Sequence, residues 1–493
     1  MQYYSNMTPD IKRHVIDIVT AAPQLADSWV RVHTNDSGVK RRAYLDANRH
    51  LAAFQANTTD NVWLIMPGLR GIGKTTIIAQ MYHELNAPAN RKFFVSLERI
   101  KTVGGDVNQV IAVIEELIGS PLEECNDPLF FFFDEVQYFE DWALILKTVV
   151  DRTPKLFMVC TGSSAIQLQT DANIVRRSTK IPIHPLCFTE YVMIKQAHIP
   201  DPKTVQYPID GLARNIRDAI FQSKDALEAY GRLRALSASV TSYWRGLPPQ
   251  EYVNEYLKFG TLPFTLKIPE ELLRWQRITQ LLNESLARDI AQLDRFDSDT
   301  VSRFTRLLFL LANSDTISLR KVAEALQIDP KTVMSALDTL KDTEIITPIL
   351  PKGSAYKQVR RPAKYVFTSP AMRAALSNSG GVLDPTAKSE LRGRLLEDIV
   401  GMYLKRIFLT NASPAAVEYD YTIGGADFVV STTGLREDSI PLEVGSGRKT
   451  ARQALKTLEA LNGKYGVVVS DVPLHVEETN RVVFVPFTYF LLA

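Results

Sequence analysis

The stretch Pro67-Gly68-Leu69-Arg70-Gly71-Ile72-Gly73-Lys74-Thr75-Thr76 constrains this chain more than any other. It follows a short apolar run, Val62 to Met66, that suits a buried parallel strand. It precedes "TTIIAQMYHEL", where Ile77, Ile78, Met81 and Leu85 fall on one side of a helix. Gly68-x-x-x-x-Gly73-Lys74-Thr75 therefore stands between a strand and a helix, the setting in which glycines turn backbone N–H groups toward phosphate oxygens. The helix N-terminus adds positive potential there. Lys74 is placed to reach the β- and γ-phosphates, and Thr75 to offer its hydroxyl to Mg²⁺. Gly68, Arg70, Gly71, Gly73, Lys74, Thr75 and Thr76 are the expected contacts of ATP.

A second motif, "LFFFFDEVQYFEDW", follows about 60 residues later. Leu129 to Phe133 read as a fully buried central strand. Asp134 at its end would hold Mg²⁺ through water, and Glu135 would polarise the attacking water. An acidic pair after a strand also serves as a helix cap; its distance from the phosphate loop selects the catalytic reading. "KLFMVCTGSSAI" supplies a further strand, Leu156 to Cys160, ending in polar residues. Ser163 there either senses the γ-phosphate or caps the next helix.

These motifs, with "PLCFTEYV" at Pro185 to Val192, resemble a large prokaryotic group of AAA+-like ATPases with a DEIQ-type acidic pair, a TGSS strand and a "PLSFxEY" segment. That group carries a Gly-Arg pair ahead of the Pro-Leu. Here Arg177 holds the arginine position while Arg176 replaces the glycine. The resemblance implies that Arg177 is a γ-phosphate sensor or arginine finger. It extends to "EYLKFGTLP" and "LARDIAQL", with Phe259 where the group has a glycine, and leaves 201–245 unmatched. That region has helical spacing and reads as an insertion or lid. "TPDIKRHVIDIVTAA" reads as a helix packed on the ATPase.

Residues 301–380 read as a winged helix-turn-helix. Three helical stretches end in "PKTVMSALDTLKDTEII", with Pro330 at a favoured first helical position. In such folds the N-terminal part of the last helix faces base edges, here Lys331, Thr332 and Ser335. The hairpin "PKGSAYKQVRRPAKYVF" contains Lys352, Lys357, Arg360, Arg361 and Lys364 and no acid, which suits phosphate contacts. Winged helices also serve as protein docking modules.

From about 381 the pattern changes to an amphipathic helix, "KSELRGRLLEDIVGMYLKRIF", then strand-like "AAVEYDY", "ADFVVST", "SIPLEV" and "YGVVVS". Glu397, Asp427 and Glu443 are carboxylates able to share Mg²⁺, a hard cation that prefers oxygen. The arrangement resembles the PD-(D/E)xK restriction-endonuclease-like superfamily, which the ATPase group also carries at its C-terminus. That superfamily wants a lysine two residues after the strand acid. Gly445 stands there, so the domain is expected to fold like a nuclease yet cut weakly or not at all, unless Lys449 or Lys456 has taken over. A basic neighbour such as Lys449 or Lys456 would otherwise screen the three carboxylates.

The whole is expected to be a multidomain α/β protein: an N-terminal helical segment (1–50), a P-loop core with a parallel sheet (51–200), a helical linker (201–300), the winged helix (301–380) and a restriction-endonuclease-like domain (381–493). At 493 residues the chain exceeds one core. A net charge of +2 gives no global field, so any basic patch is local. Cys125, Cys160 and Cys187 are far apart, which argues against a disulfide framework and a zinc site. With no signal-peptide layout and no long apolar run, a cytoplasmic protein free of the membrane is expected. The expected partners are DNA and further copies of the chain. The leading function is ATP-dependent DNA binding or processing. The rivals are an ATP-controlled signalling or assembly switch, separable by salt-dependent DNA binding, and an ATP-gated nuclease, separable by metal-dependent cutting.

Overall fold

The structure, a computed structural model, describes residues 9–33, 39–162, 176–198, 206–286, 298–314, 318–378, 385–409, 415–433, 438–447 and 450–493. The chain divides into two compact units, 1–184 and 185–493.

The first unit is built on a five-stranded parallel sheet: β1 (Val62–Pro67), β2 (Lys92–Ser96), β3 (Leu129–Asp134), β4 (Leu156–Gly162) and β5 (Thr179–Lys180), in the order β2-β3-β4-β1-β5. Its helices include α1 (Pro9–Thr20), α2 (Ala22–His33), α3 (Arg42–Gln55), α4 (Lys74–Glu84), α5 (Val107–Ile118) and α6 (Trp142–Arg152). Continuous apolar strands follow from covering the sheet on both faces. Phe131 and Phe133 join Val15, Val110 and Trp142 in one core. Phe130 and Phe132 meet Phe54 and Tyr82 edge-on at 5.7 and 5.9 Å. Val15 and Val19 place α1 against this core. Residue Asp106 caps α5 reciprocally with Gln109.

The second unit begins with α7 (Phe188–Ala197) and includes α8 (Glu271–Ser285), α9 (Ser298–Ala312), α10 (Leu319–Leu326) and α11 (Pro330–Asp342). A hairpin follows, β6 (Ile346–Pro351) and β7 (Lys364–Phe367), with α12 (Ala355–Arg360) at its tip, then α13 (Pro370–Asn378) and the long α14 (Pro385–Leu404). The remaining strands are β8 (Ala416–Tyr419), β9 (Phe428–Ser431), β10 (Ser439–Val444), β11 (Gly466–Ser470), β12 (His475–Glu477) and β13 (Val482–Pro486), with α15 (Arg452–Leu461) between β10 and β11. All eight strands form one sheet, ordered β12-β13-β11-β10-β9-β8-β6-β7.

A boundary at 380 would therefore cut a single sheet. β6 pairs in parallel with β8 through Leu350 and Pro351, and Ile349 and Val366 of the hairpin share a core with Val417 and Phe428. Fully buried Asp398 on α14 accepts Arg373 Nε at 2.6 Å, Arg373 Nη2 at 2.9 Å and the Phe367 N–H at 2.8 Å. Arg373 also donates to the Leu311 and Ala312 carbonyls that end α9, so one ion pair ties four elements together.

The unmatched 201–245 region does not read as a lid once folded. The Ile220 carbonyl accepts the Tyr465 hydroxyl at 2.7 Å, and Trp244 Nε1 donates to the Thr488 carbonyl at 2.8 Å. These helices cover the C-terminal sheet. Most of "LARDIAQL" lies outside the described residues. Among the described residues, no helix is long and apolar enough to cross a membrane.

Candidate nucleotide site

The phosphate loop closes β1 onto α4. Gly71 and Gly73 take positive φ values of 77° and 89°, a region that disfavours any side chain. Gly68 is fixed by space instead: a Cβ there would stand 2.4 Å from the Ile183 carbonyl oxygen. Lys74, only 4% exposed, is wrapped by the loop itself, donating to the Gly68 and Leu69 carbonyls at 3.2 and 3.3 Å. A buried ammonium enclosed by a glycine-rich turn at a helix N-terminus is the donor set that a polyphosphate requires. The residues present thus fit ATP.

β3 brings both acids, and β4 brings Thr161, to the same end of the sheet. Thr75 Oγ1 donates to Asp134 Oδ2 at 2.8 Å, and Thr161 Oγ1 donates to Asp134 Oδ1. Burial, then the neighbouring Glu135, push the Asp134 carboxyl up to about 6, against the pull of Thr161, Thr75 and Lys74. A buried carboxylate beside a threonine hydroxyl is a pair of oxygens suited to Mg²⁺. Glu135 sits in the left-handed region at φ 58°, strain of the kind that collects at working sites. Its carboxylate lies 3.7 Å from Lys74 Nζ and accepts from Gln137 Nε2.

The structure thus gathers Lys74, Thr75, Asp134 and Glu135. It adds Gln137 and Arg41, and of the polar residues ending β4 it brings Thr161 to the site. Thr161, at the end of β4, bonds Asp134 and receives the Glu135 N–H at 3.3 Å. Gln137 orients Glu135. Arg41, 6% exposed, donates to the Ile72 carbonyl inside the phosphate loop and to the His184 carbonyl at 2.6 Å. Thr161 and Gln137 stood within quoted motifs. No local signal marked Arg41, which lies 31 residues from its loop partner.

Ser163 lies outside the described residues. Arg177 is at the wrong end of the sheet to serve its own chain. Thr179 pairs with Leu64, so Arg177 stands level with the start of β1, one strand length, roughly 15–20 Å, from the strand ends that carry the site. Its guanidinium pairs there with Asp151 at 2.6 Å.

The basic hairpin is likewise sorted by the fold. Lys357, Arg360 and Arg361 are exposed, and Arg360 lies 4.5 Å over the exposed Tyr356 ring. Lys352 is turned inward, 2.7 Å from Glu418 and 3.0 Å from Ser431 Oγ, so it is not part of that surface. On α11, Thr332 spends its hydroxyl on the Asp329 cap, whereas Lys331 is exposed and Ser335 half-buried.

The three C-terminal carboxylates do not form the expected metal cluster. Among the described residues no group of three or more His, Cys, Asp or Glu is placed to hold a metal. Glu397 and Asp427 instead grip Lys364 of β7, at 2.6 and 3.2 Å. Glu443, 2% exposed, lines a cleft of about 620 Å³ with Arg452, Gln453 and Lys456. Lys456 donates to the Ile423 carbonyl, and Lys449 lies outside the described residues.

Phosphate loop, acidic pair and parallel strand order define a P-loop domain of the AAA type. A family model described as an AAA domain matches residues 60–192, and one described as a domain of unknown function (DUF8612) matches 250–382. Beyond that class, the chain belongs to the family of the uncharacterized protein MJ1637 of Methanocaldococcus jannaschii, with which it is 30% identical over 434 residues, 87% of this chain and 84% of that protein. The uncharacterized protein MJ1544 of the same organism is 20% identical over 308 residues, 59% of this chain and 58% of its own. Among solved structures, Orc1 of Aeropyrum pernix in complex with DNA has a TM-score of 0.32 at 11% identity, covering 69% of this chain and 94% of that one.

Proposed function

We propose that this protein binds and hydrolyses ATP with Mg²⁺, and that nucleotide state governs DNA binding by the second unit. The observation that carries the ATPase reading is the convergence of Lys74, Thr75, Asp134 and Glu135, with Thr161, at the carboxyl ends of β1, β3 and β4. Bound Mg²⁺·ATP supplies the electrophilic γ-phosphorus and its leaving group. Lys74 and the loop N–H groups bind and orient the phosphates. Thr75 and Asp134 would hold Mg²⁺ beside those phosphates. Glu135, fixed by Gln137, accepts the proton of the attacking water. Arg177, remote from its own site, is assigned to a neighbouring copy, which makes self-association part of the reading.

For DNA we assign α9 to α11 and the β6–β7 hairpin to a winged helix, with Lys331 and Ser335 on the groove-facing helix and Lys357, Arg360 and Arg361 on phosphates. Exposed Tyr356 under Arg360 supports a stacking role. The C-terminal sheet is read as nuclease-like in plan, with Asp427 just ahead of β9 and Glu443 on the adjacent β10. One observation favours the rival docking reading: α11 carries Asp338 and Asp342 beside Lys331 and Lys341, and Met334 is 52% exposed there.

The test is ATP hydrolysis together with duplex, single-strand and branched DNA binding, with and without ATP. Lys74→Ala should lose nucleotide binding, and Glu135→Gln should bind ATP and retain it. Hydrolysis by Lys74→Ala at the wild-type rate would show the site misassigned. DNA affinity that ignores salt would transfer the second unit to protein docking.

A further inference from the structure

The contact of Lys364 with Glu397 and Asp427 carries an inference beyond that reading. The register of β9 on β10 ends at Phe428 opposite Leu442, so Asp427 stands next to Glu443 across the strands. Asp427 uses both oxygens: Oδ2 accepts the Val444 N–H at 2.9 Å, and Oδ1 meets Lys364 Nζ at 3.2 Å. Glu397, on α14, closes the other side of the ammonium at 2.6 Å. Lys364 is 7% exposed, and its ammonium also lies 5.2 Å from the Phe428 ring centre. Burial alone would lower its pKa, but the two carboxylates outweigh that and raise it, so the lysine is charged at neutral pH.

Lys364 is not a long surface side chain that happens to reach an acid. It is the first residue of β7. The hairpin that presents it is clamped by the β6–β8 pairing and by Arg373 on Asp398. The cation therefore arrives from a sequence segment 33 residues before Glu397 and 63 before Asp427. We propose that Lys364 is the resident cation of this site: its ammonium holds Glu397 and Asp427 together in place of a divalent metal, and the hairpin thereby completes the C-terminal sheet without one. Among the described residues it is Lys364, and not Lys456, that meets these two acids. A buried cation between two carboxylates has replaced the metal's structural role.

The experiment is thermal denaturation of the full chain without nucleotide, in chelator and in millimolar Mn²⁺. Any shift that Mn²⁺ gives the wild-type transition should persist in Asp427→Asn, because Thr75 and Asp134 of the first unit can also take the ion. Lys364→Met leaves two carboxylates facing each other and should melt lower, by about 5 °C or more. Mn²⁺ should recover part of that loss. Adding Glu397→Gln and Asp427→Asn to Lys364→Met removes the repulsion, and this triple variant should melt higher than Lys364→Met and gain no more from Mn²⁺ than wild type does. If Lys364→Met does not fold, recovery of a folded triple variant supports the proposal and its failure overturns it. Three other results overturn it: a wild-type chain stabilised by Mn²⁺ in a way that Asp427→Asn abolishes, a Lys364→Met chain as stable as wild type, or one that Mn²⁺ stabilises no more than wild type.

Discussion

Asp134 carries a titration with two opposite consequences. Its carboxyl is pushed up to about 6 by burial and by Glu135, above the ordinary value of 3.8. The nucleotide-free fold therefore holds this proton more tightly than the unfolded chain does. The stability it contributes is complete below the ordinary value and is lost as pH rises through about 6. Mg²⁺ needs the carboxylate, so Mg²⁺-dependent ATP affinity should rise across that same window and level off above it, as a fluorescent-nucleotide titration against pH would read. Thr161→Val removes a hydrogen bond that favours the ionised form, so the midpoint of the curve should move to higher pH. A midpoint that stays in place would remove Thr161 from the site. Arg41 acts at one remove, through the Ile72 carbonyl. Arg41→Ala should weaken ATP binding about tenfold, the scale of one lost charged hydrogen bond. Far-ultraviolet circular dichroism should show the fold retained.

At the scale of elements, α12 and the residue after it carry the basic residues that face solvent, Lys357, Arg360 and Arg361, while Lys352, just past β6, and Lys364 of β7 turn inward. Lys357→Ala, Arg360→Ala and Arg361→Ala should each reduce the slope of log K against log salt by about 0.9 if each neutralises a DNA phosphate. Lys352→Ala should leave that slope alone and destabilise the second unit by about 1–2 kcal/mol, because Glu418 then loses a buried cationic partner. A salt slope that falls for Lys352→Ala as much as for Arg360→Ala would refute this sorting. Fluorescence anisotropy across a salt series measures the slopes, and urea denaturation the stability.

Across the whole molecule, the second unit joins its helices, hairpin and C-terminal strands through one sheet and one buried ion pair. Arg373→Met strands Asp398, which is fully buried, and should cost about 3–5 kcal/mol. For the same reason a fragment ending at 380 should fail to fold. It would bare Ile349 and Val366 and leave β6 without its β8 partner. A fragment 185–380 giving a cooperative melt would show instead that the three helices and hairpin are an independent domain.

The sequence by itself determined the phosphate loop, the Asp134-Glu135 pair and most strands, since each is a run of neighbouring residues whose spacing suffices to specify it. It also singled out the carboxylates Glu397, Asp427 and Glu443. Strand β13, "VVFVP", escaped notice although it is as apolar as its neighbours, because nothing local says that it pairs with β11. Only the tertiary structure decided that Arg41 braces the loop, that Arg177 lies at the far end of its own sheet, that Lys352 turns inward, and that Lys364 rather than Lys456 faces the two acids. Each depends on strand register or on the packing of segments tens to hundreds of residues apart. A charge in a sequence has a sign but no direction. Whether it meets water, phosphate or a buried carboxylate is set by which strand lies beside it and which face that strand turns inward.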